Sequence, residues 1–146
     1  MRFWLQLTII LAGFTFPAVA QIVTKSPVQV QDARIAATAA GGSIAVSMML
    51  VNPTSRTVVL VGASAPVAGQ TVLQRYVKDR NGLVQLETIN SLPLPPMSET
   101  VLAPGALELQ FVGLTSELVA GLETPLTLRF ADGSQKVLRF RVEGGE

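Results

Sequence analysis

The chain has 146 residues, 49% of them hydrophobic and 14% charged, and its eleven Lys and Arg nearly balance ten Asp and Glu. Such a balance supplies no clustered cationic field to hold nucleic acid or an anionic membrane. There is no His and no Cys, which excludes His-based triads, thiol nucleophiles, disulfide frameworks and zinc centres of the usual His and Cys kind.

Residues 1–20 read MRFWLQLTIILAGFTFPAVA: one cation at Arg2, an apolar run through Leu11, then Pro17 and the small-x-small end Ala18-Val19-Ala20. This predicts a Sec-type signal peptide cleaved before Gln21, leaving residues 21–146 as one β domain, neutral in net charge and located in the periplasm. The apolar run is shorter than the about twenty residues a membrane span requires, so the processed chain is expected to be free of the membrane. Gln21 offers no thiol for a lipid anchor. With the leader gone, Tyr76, Phe111, Phe130 and Phe140 are the aromatic residues left, so the core must be mainly aliphatic.

From residue 28 onward the apolar residues recur with period two in short runs between turn residues, the signature of an antiparallel all-β domain. Val28 to Ala36 is a first predicted strand, Ala36 to Gly42 a loop, and Ile44 to Val51 a second, central strand. Asn52-Pro53-Thr54-Ser55 turns the chain. Thr57 to Ala63 is a third strand, and one from about Thr71 to Lys78 meets Asn81-Gly82, read as a two-residue hairpin turn, before returning over Leu83 to Ile89. Ser91 to Met97 carries Pro93, Pro95 and Pro96 and is read as an extended crossing between sheets. Glu99 to Leu102 is short and precedes the Pro104-Gly105 turn. Leu107, Leu109 and Phe111 alternate with Glu108 and Gln110. Thr115 to Val119 is read as a single helical turn capped by Thr115. Leu126, Leu128 and Phe130 run into Asp132-Gly133, a second hairpin turn, and Leu138, Phe140 and Val142 return; the Gly144-Gly145-Glu146 tail is expected to fray. Seven to nine strands at this spacing predict a Greek-key sandwich or barrel.

The order and punctuation of these segments resemble the periplasmic copper chaperone family called PCu(A)C. The matching pieces are Asp32-Ala33-Arg34-Ile35-Ala36-Ala37-Thr38, Leu50-Val51-Asn52-Pro53, the run from Leu60 to Ala68, Leu92-Pro93-Leu94-Pro95, Leu102-Ala103-Pro104-Gly105, Val112-Gly113-Leu114 and Pro125-Leu126-Thr127-Leu128-Arg129-Phe130. The resemblance implies a cupredoxin-like β-barrel carrying Cu(I) in the periplasm toward assembly of an oxidase copper site. It also implies a ligand set of two His and two Met, soft and intermediate donors suited to Cu(I). This chain departs from that set. Gln74 stands at the first His position, Gln85 or Leu86 at the first Met, and Glu108 and Gln110 at the His-x-Met pair. No metal site and no bound cofactor are therefore expected, Cu(I) entering by family resemblance alone.

Three readings of the polar replacements differ in chemistry. They form an ordinary solvated sheet face; or one carboxylate with three amides holds a hard ion, a poor Ca²⁺ site by its charge count; or copper is held by thioethers, Met97 being the mobile donor and Met48 and Met49 pointing to opposite faces. In a two-residue hairpin register, Arg80 opposes Leu83, and Gln74, Tyr76, Lys78, Gln85 and Glu87 share one face. For catalysis there is no G-x-S-x-G, no glycine-rich phosphate loop and no neutral-range base; Lys25, Lys78 and Lys136, the only lysines, sit among polar or turn residues. Arg139 and Arg141 share a solvated face. The expectation is a non-enzymatic family member with a degenerate metal site that works with a copper-binding relative or an oxidase-assembly protein. A metal-independent interaction module on a β-sandwich is the alternative.

Overall fold

Val46, Met48 and Leu50 are buried while their neighbours are partly exposed, so the alternation predicted for the second strand points one side chain in two into the core. The computed structural model describes residues 24–144; the predicted leader, its cleavage site and the last two residues of the tail lie outside them. Within these bounds ten strands form: β1 (Gln29–Ala36), β2 (Ile44–Asn52), β3 (Val58–Ser64), β4 (Ala68–Lys78), β5 (Val84–Ile89), β6 (Leu92–Leu94), β7 (Ser98–Leu102), β8 (Leu107–Leu114), β9 (Glu123–Phe130) and β10 (Gln135–Glu143).

The strands follow one another in the order β5-β4-β8-β2-β1-β10-β9-β3-β6, with β7 beside β8 on the same edge of β2. All pairs are antiparallel except β1 with β10. The ribbon curls until β3 lies alongside β4, where the Thr71 hydroxyl donates to the Ala63 carbonyl. Its concave side holds the core. Leu109 and Phe111 of β8 meet Leu126 and Leu128 of β9 and Phe140 and Val142 of β10, all at most 4% exposed, and the Phe111 and Phe140 rings are 6.2 Å apart. The fold is the all-β sandwich expected from the period-two pattern.

Three local expectations need correction, and one strand carries an irregularity that the pattern does not show. Ser91–Met97 is not a bare crossing: Leu92–Leu94 pairs with Val58–Leu60, with Pro93 opposite Val59. A proline is tolerated there because β6 is an edge strand, whose outer side needs no donor. Thr115–Val119 forms no helical turn, since Leu118 and Thr38 exchange both backbone hydrogen bonds and the Thr115 hydroxyl is used on the Pro66 carbonyl. The fourth strand begins at Ala68 and not Thr71, because β8 is long enough to pair with it back to the Ala68–Leu114 step. Finally, β1 carries a bulge between Gln31 and Arg34 with Asp32 at φ 51, a conformation Asp tolerates better than most residues. The bulge bends the strand between its pairing with β2 and its parallel pairing with β10.

Asn52 is a device that period-two reading does not show. Its place in the alternation is an inward one, and it is fully buried. Its Nδ2 donates to the carbonyls of Arg56 and Leu94, and its Oδ1 accepts from the N–H and hydroxyl of Thr54. A buried amide satisfied in this way ties the β2–β3 turn to β6.

Candidate functional site

Strand β8 lies between β4 and β2, and its residues alternate between the core and the outer face. Leu109 and Phe111 go inward, so Glu108 and Gln110 share the outer face. The register sets Glu108 opposite Gln74 and Gln110 between Val72 of β4 and Ala45 of β2. Three of the four positions singled out by the resemblance, Gln74, Glu108 and Gln110, are therefore neighbours.

They do not form a solvated face. Glu108 is only 3% exposed, and Gln74 and Gln110 are half-buried. The reason is the β7–β8 connection. Pro104-Gly105, with Gly105 at φ 87 and Ala106 N–H bonded to the Ala103 carbonyl, makes a type II turn. Gly105 N–H then donates to Glu108 Oε1 at 2.7 Å. Glu108 Oε2 is 3.5 Å from Gln110 Nε2, a long contact, and Gln74 Oε1 is buried with no hydrogen-bond partner among the described residues. The carboxylate is thus engaged mainly in holding a turn.

The fourth position resolves differently from the two-residue hairpin reading. Lys78 pairs with Val84, Tyr76 with Leu86 and Gln74 with Thr88, which places Gln85 opposite Val77. The loop has three residues, Arg80-Asn81-Gly82. Asp79 N–H bonds to the Leu83 carbonyl, Asp79 Oδ1 accepts from the N–H groups of Asn81 and Leu83, and Gly82 takes φ 78. One extra loop residue shifts the register by one and moves each side chain of β5 to the other face. Gln85 and Glu87 therefore leave the face of Gln74, and Leu86, with Tyr76, Val84 and Thr88, joins it. Gln85 is exposed and stands about 10 Å along the strand from Gln74. The signal that could have revealed this is Asp79, whose side chain is the acceptor that favours the longer loop.

Met97 is distant too. It is 74% exposed, follows Pro96 at φ 50, and sits one step beyond the Asn52–Ser98 pair. Glu108 lies one step beyond the Val46–Leu109 pair, so the two are separated by about 20 Å along β2. Met48 is buried in the core and Met49 points the other way. The face of Gln74 then offers two amides and one turn-engaged carboxylate, with Leu86 and not Gln85 beside them, and no imidazole or thioether. It does not fit a soft monovalent ion. Among the described residues no group of three or more His, Cys, Asp or Glu could hold a metal.

This strand order is the cupredoxin-like fold of PCuAC domains. Solved structures agree: the copper-bound PCuAC domain from PmoF2 superposes with a TM-score of 0.67 at 18% identity, covering 84% of this chain and 97% of that one. The apo PCuAC domain from PmoF1 gives 0.68 at 20%, covering 83% and 97%, and apo-DR1885 from Deinococcus radiodurans 0.62 at 24%, covering 99% and 97%. At such identities the likeness is one of fold. The chain itself belongs to the LpqE-like family, described as "Putative lipoprotein LpqE-like", whose family model matches residues 28–142. The Leifsonia xyli subsp. xyli (strain CTCB07) protein described as "Putative lipoprotein Lxx21020" is 33% identical over 131 residues, 86% of this chain and 79% of that protein.

Proposed function

We propose that this protein is an exported, periplasmic, non-enzymatic member of the copper chaperone fold group with a degenerate metal site. It acts through a protein partner in copper handling or oxidase assembly and does not carry the ion. The observation that carries this reading is the composition of the β4–β8 face. Gln74, Glu108 and Gln110 occupy three of the positions that the resemblance assigns to two His and two Met, Gln85 or Leu86 the fourth, and Glu108 is committed to the Gly105 N–H. A partner fits the same face, because Tyr76, Val84 and Leu86 leave a strip of apolar side chains 42–57% exposed beside Gln74. The partner class is a copper-binding relative or an oxidase-assembly protein.

Competition against a Cu(I) chelator of modest affinity tests the metal half of this reading. The processed protein is expected to leave the chelator's copper in place. Stoichiometric withdrawal of copper, abolished by Met97→Ala or Glu108→Ala, would overturn it. The partner half is tested by chemical cross-linking in periplasm of the native cell: Leu86→Asp is expected to remove the cross-linked copper or oxidase-assembly protein, and its retention counts against the strip.

A further inference from the structure

The strand ribbon leaves a crevice where it fails to close. The second edge of β3 is unpaired from Gly62 to Ser64 because β6 ends opposite Val58 and Leu60. The second edge of β4 is unpaired from Ala68 to Val72, since β5 begins its pairing at Leu73. The two half-edges face each other around a cavity of about 180 Å³, floored by Leu73 and Leu109 and walled by Gln70, Thr88 and Asn90.

Arg129 of β9 reaches this cavity through two departures from regular sheet. The β3–β9 register shifts between Leu60 and Gly62, so Val61 is an extra residue opposite the Phe130–Arg129 step, and a bulge re-aims nearby side chains. Gly62, the direct partner of Arg129, is not among the glycines with positive φ. Its missing side chain matters for space: a Cβ there would stand 2.6 Å from a guanidinium nitrogen of Arg129. Glycine inside a strand weakens it and marks a close approach, here by the guanidinium. Among the described residues Arg129 has no acidic partner, and no acidic residue lines the cavity or its continuation past Ser64 and Gly69.

We propose that this crevice is a carboxylate-binding site, with Arg129 as the recognising group. A guanidinium presents a planar fork that matches a carboxylate through two parallel hydrogen bonds. The cavity is smaller than the roughly 300–1,000 Å³ of sites for drug-sized ligands, so the ligand is a short free acid or the terminal carboxylate of a peptide chain. The site uses none of Gln74, Glu108 and Gln110 and needs no copper.

The test is a titration of isotope-labelled protein, followed by amide chemical shifts at constant ionic strength. The probes are acetate, succinate, inorganic phosphate, an acetylated tripeptide with a free C-terminus and the same tripeptide as its amide. Shifts are expected at Gly62, Ala63, Thr71 and Arg129, with affinity roughly 10- to 100-fold weaker in Arg129→Gln, the loss expected for one charge-assisted pair. Gly62→Ala, which displaces the guanidinium while retaining the charge, is expected to weaken binding too; should it not fold, the exposed Arg129→Gln still decides. Tighter binding by the free-ended tripeptide than by acetate, lost on amidation, assigns a chain terminus; equal or tighter binding by the small acids assigns a free acid. Tighter binding of phosphate, an unchanged response in Arg129→Gln, or no localised shift with any probe would overturn the proposal.

Discussion

Replacing Glu108 separates a carboxylate that holds a turn from one kept for a ligand. Glu108→Ala removes the bond from Gly105 N–H at 2.7 Å, a charge-assisted interaction worth about 1.5–3 kcal/mol. Gly105 is exposed and its N–H can turn to water, so the lower end of that range applies. One methylene, Cγ, leaves with the carboxyl group from a site that is 3% exposed, adding about 0.8 kcal/mol. Relief of the cost of burying a carboxylate offsets part of the sum, for a net loss of about 1–2 kcal/mol and a midpoint lower by roughly 3–10 °C in a domain of this size. Glu108→Gln keeps an acceptor for Gly105 and turns an NH₂ toward Gln110, whose amide can reverse to present its oxygen; its stability is expected within about 1 kcal/mol of the parent. Urea unfolding followed by circular dichroism is the assay, because Trp4, the one Trp, lies in the predicted leader; midpoints are compared at unchanged m. An Ala variant within about 0.5 kcal/mol of the parent would refute the turn-holding role. A Gln variant that loses as much as the Ala variant would show that the negative charge itself is required.

Three other outcomes follow from the same geometry. Grafting the family's donors as Gln74→His, Leu86→Met, Glu108→His and Gln110→Met is expected to create a Cu(I) site measurable by chelator competition. The same graft with Gln85→Met in place of Leu86→Met is expected to bind more weakly, and equal affinity would contradict the observed register. Phe111, fully buried against Phe140, is expected to cost about 3–5 kcal/mol on replacement by Ala, measured by urea unfolding. The Asp132 carboxyl is held below the usual carboxylate range by the Ser134 hydroxyl first and then by the Ser134 N–H. A depressed folded-state value stabilises above the unfolded value near 3.9 and is lost as pH falls through the folded one. The stability deficit of Asp132→Asn should therefore be full at neutral pH and shrink as pH falls below the unfolded value and through the depressed folded one.

Strand identity was legible because burying one face of a sheet favours an apolar residue at every second position, and β2, β8, β9 and β10 follow that rule with Leu, Val, Met or Phe, Asn52 and Thr124 excepted. The Asn52 and Pro104-Gly105 turns were legible from residue chemistry. The β5 face was not. It depends on whether a hairpin loop has two or three residues, and Asn81-Gly82 satisfies both until Asp79 is seen accepting from Asn81 and Leu83. The Arg129 crevice was equally hidden, since it needs a bulge in β3, a glycine beneath a guanidinium on β9, and a seam between strands that are not paired.

The sequence by itself determined an all-β chain and the absence of His and Cys, because periodicity and composition are properties of the chain alone. Only the tertiary structure decided that Gln74, Glu108 and Gln110 meet while Gln85 and Met97 stand apart, and that Glu108 is buried. Those facts depend on register and curl, which arise from pairing between residues distant in the chain.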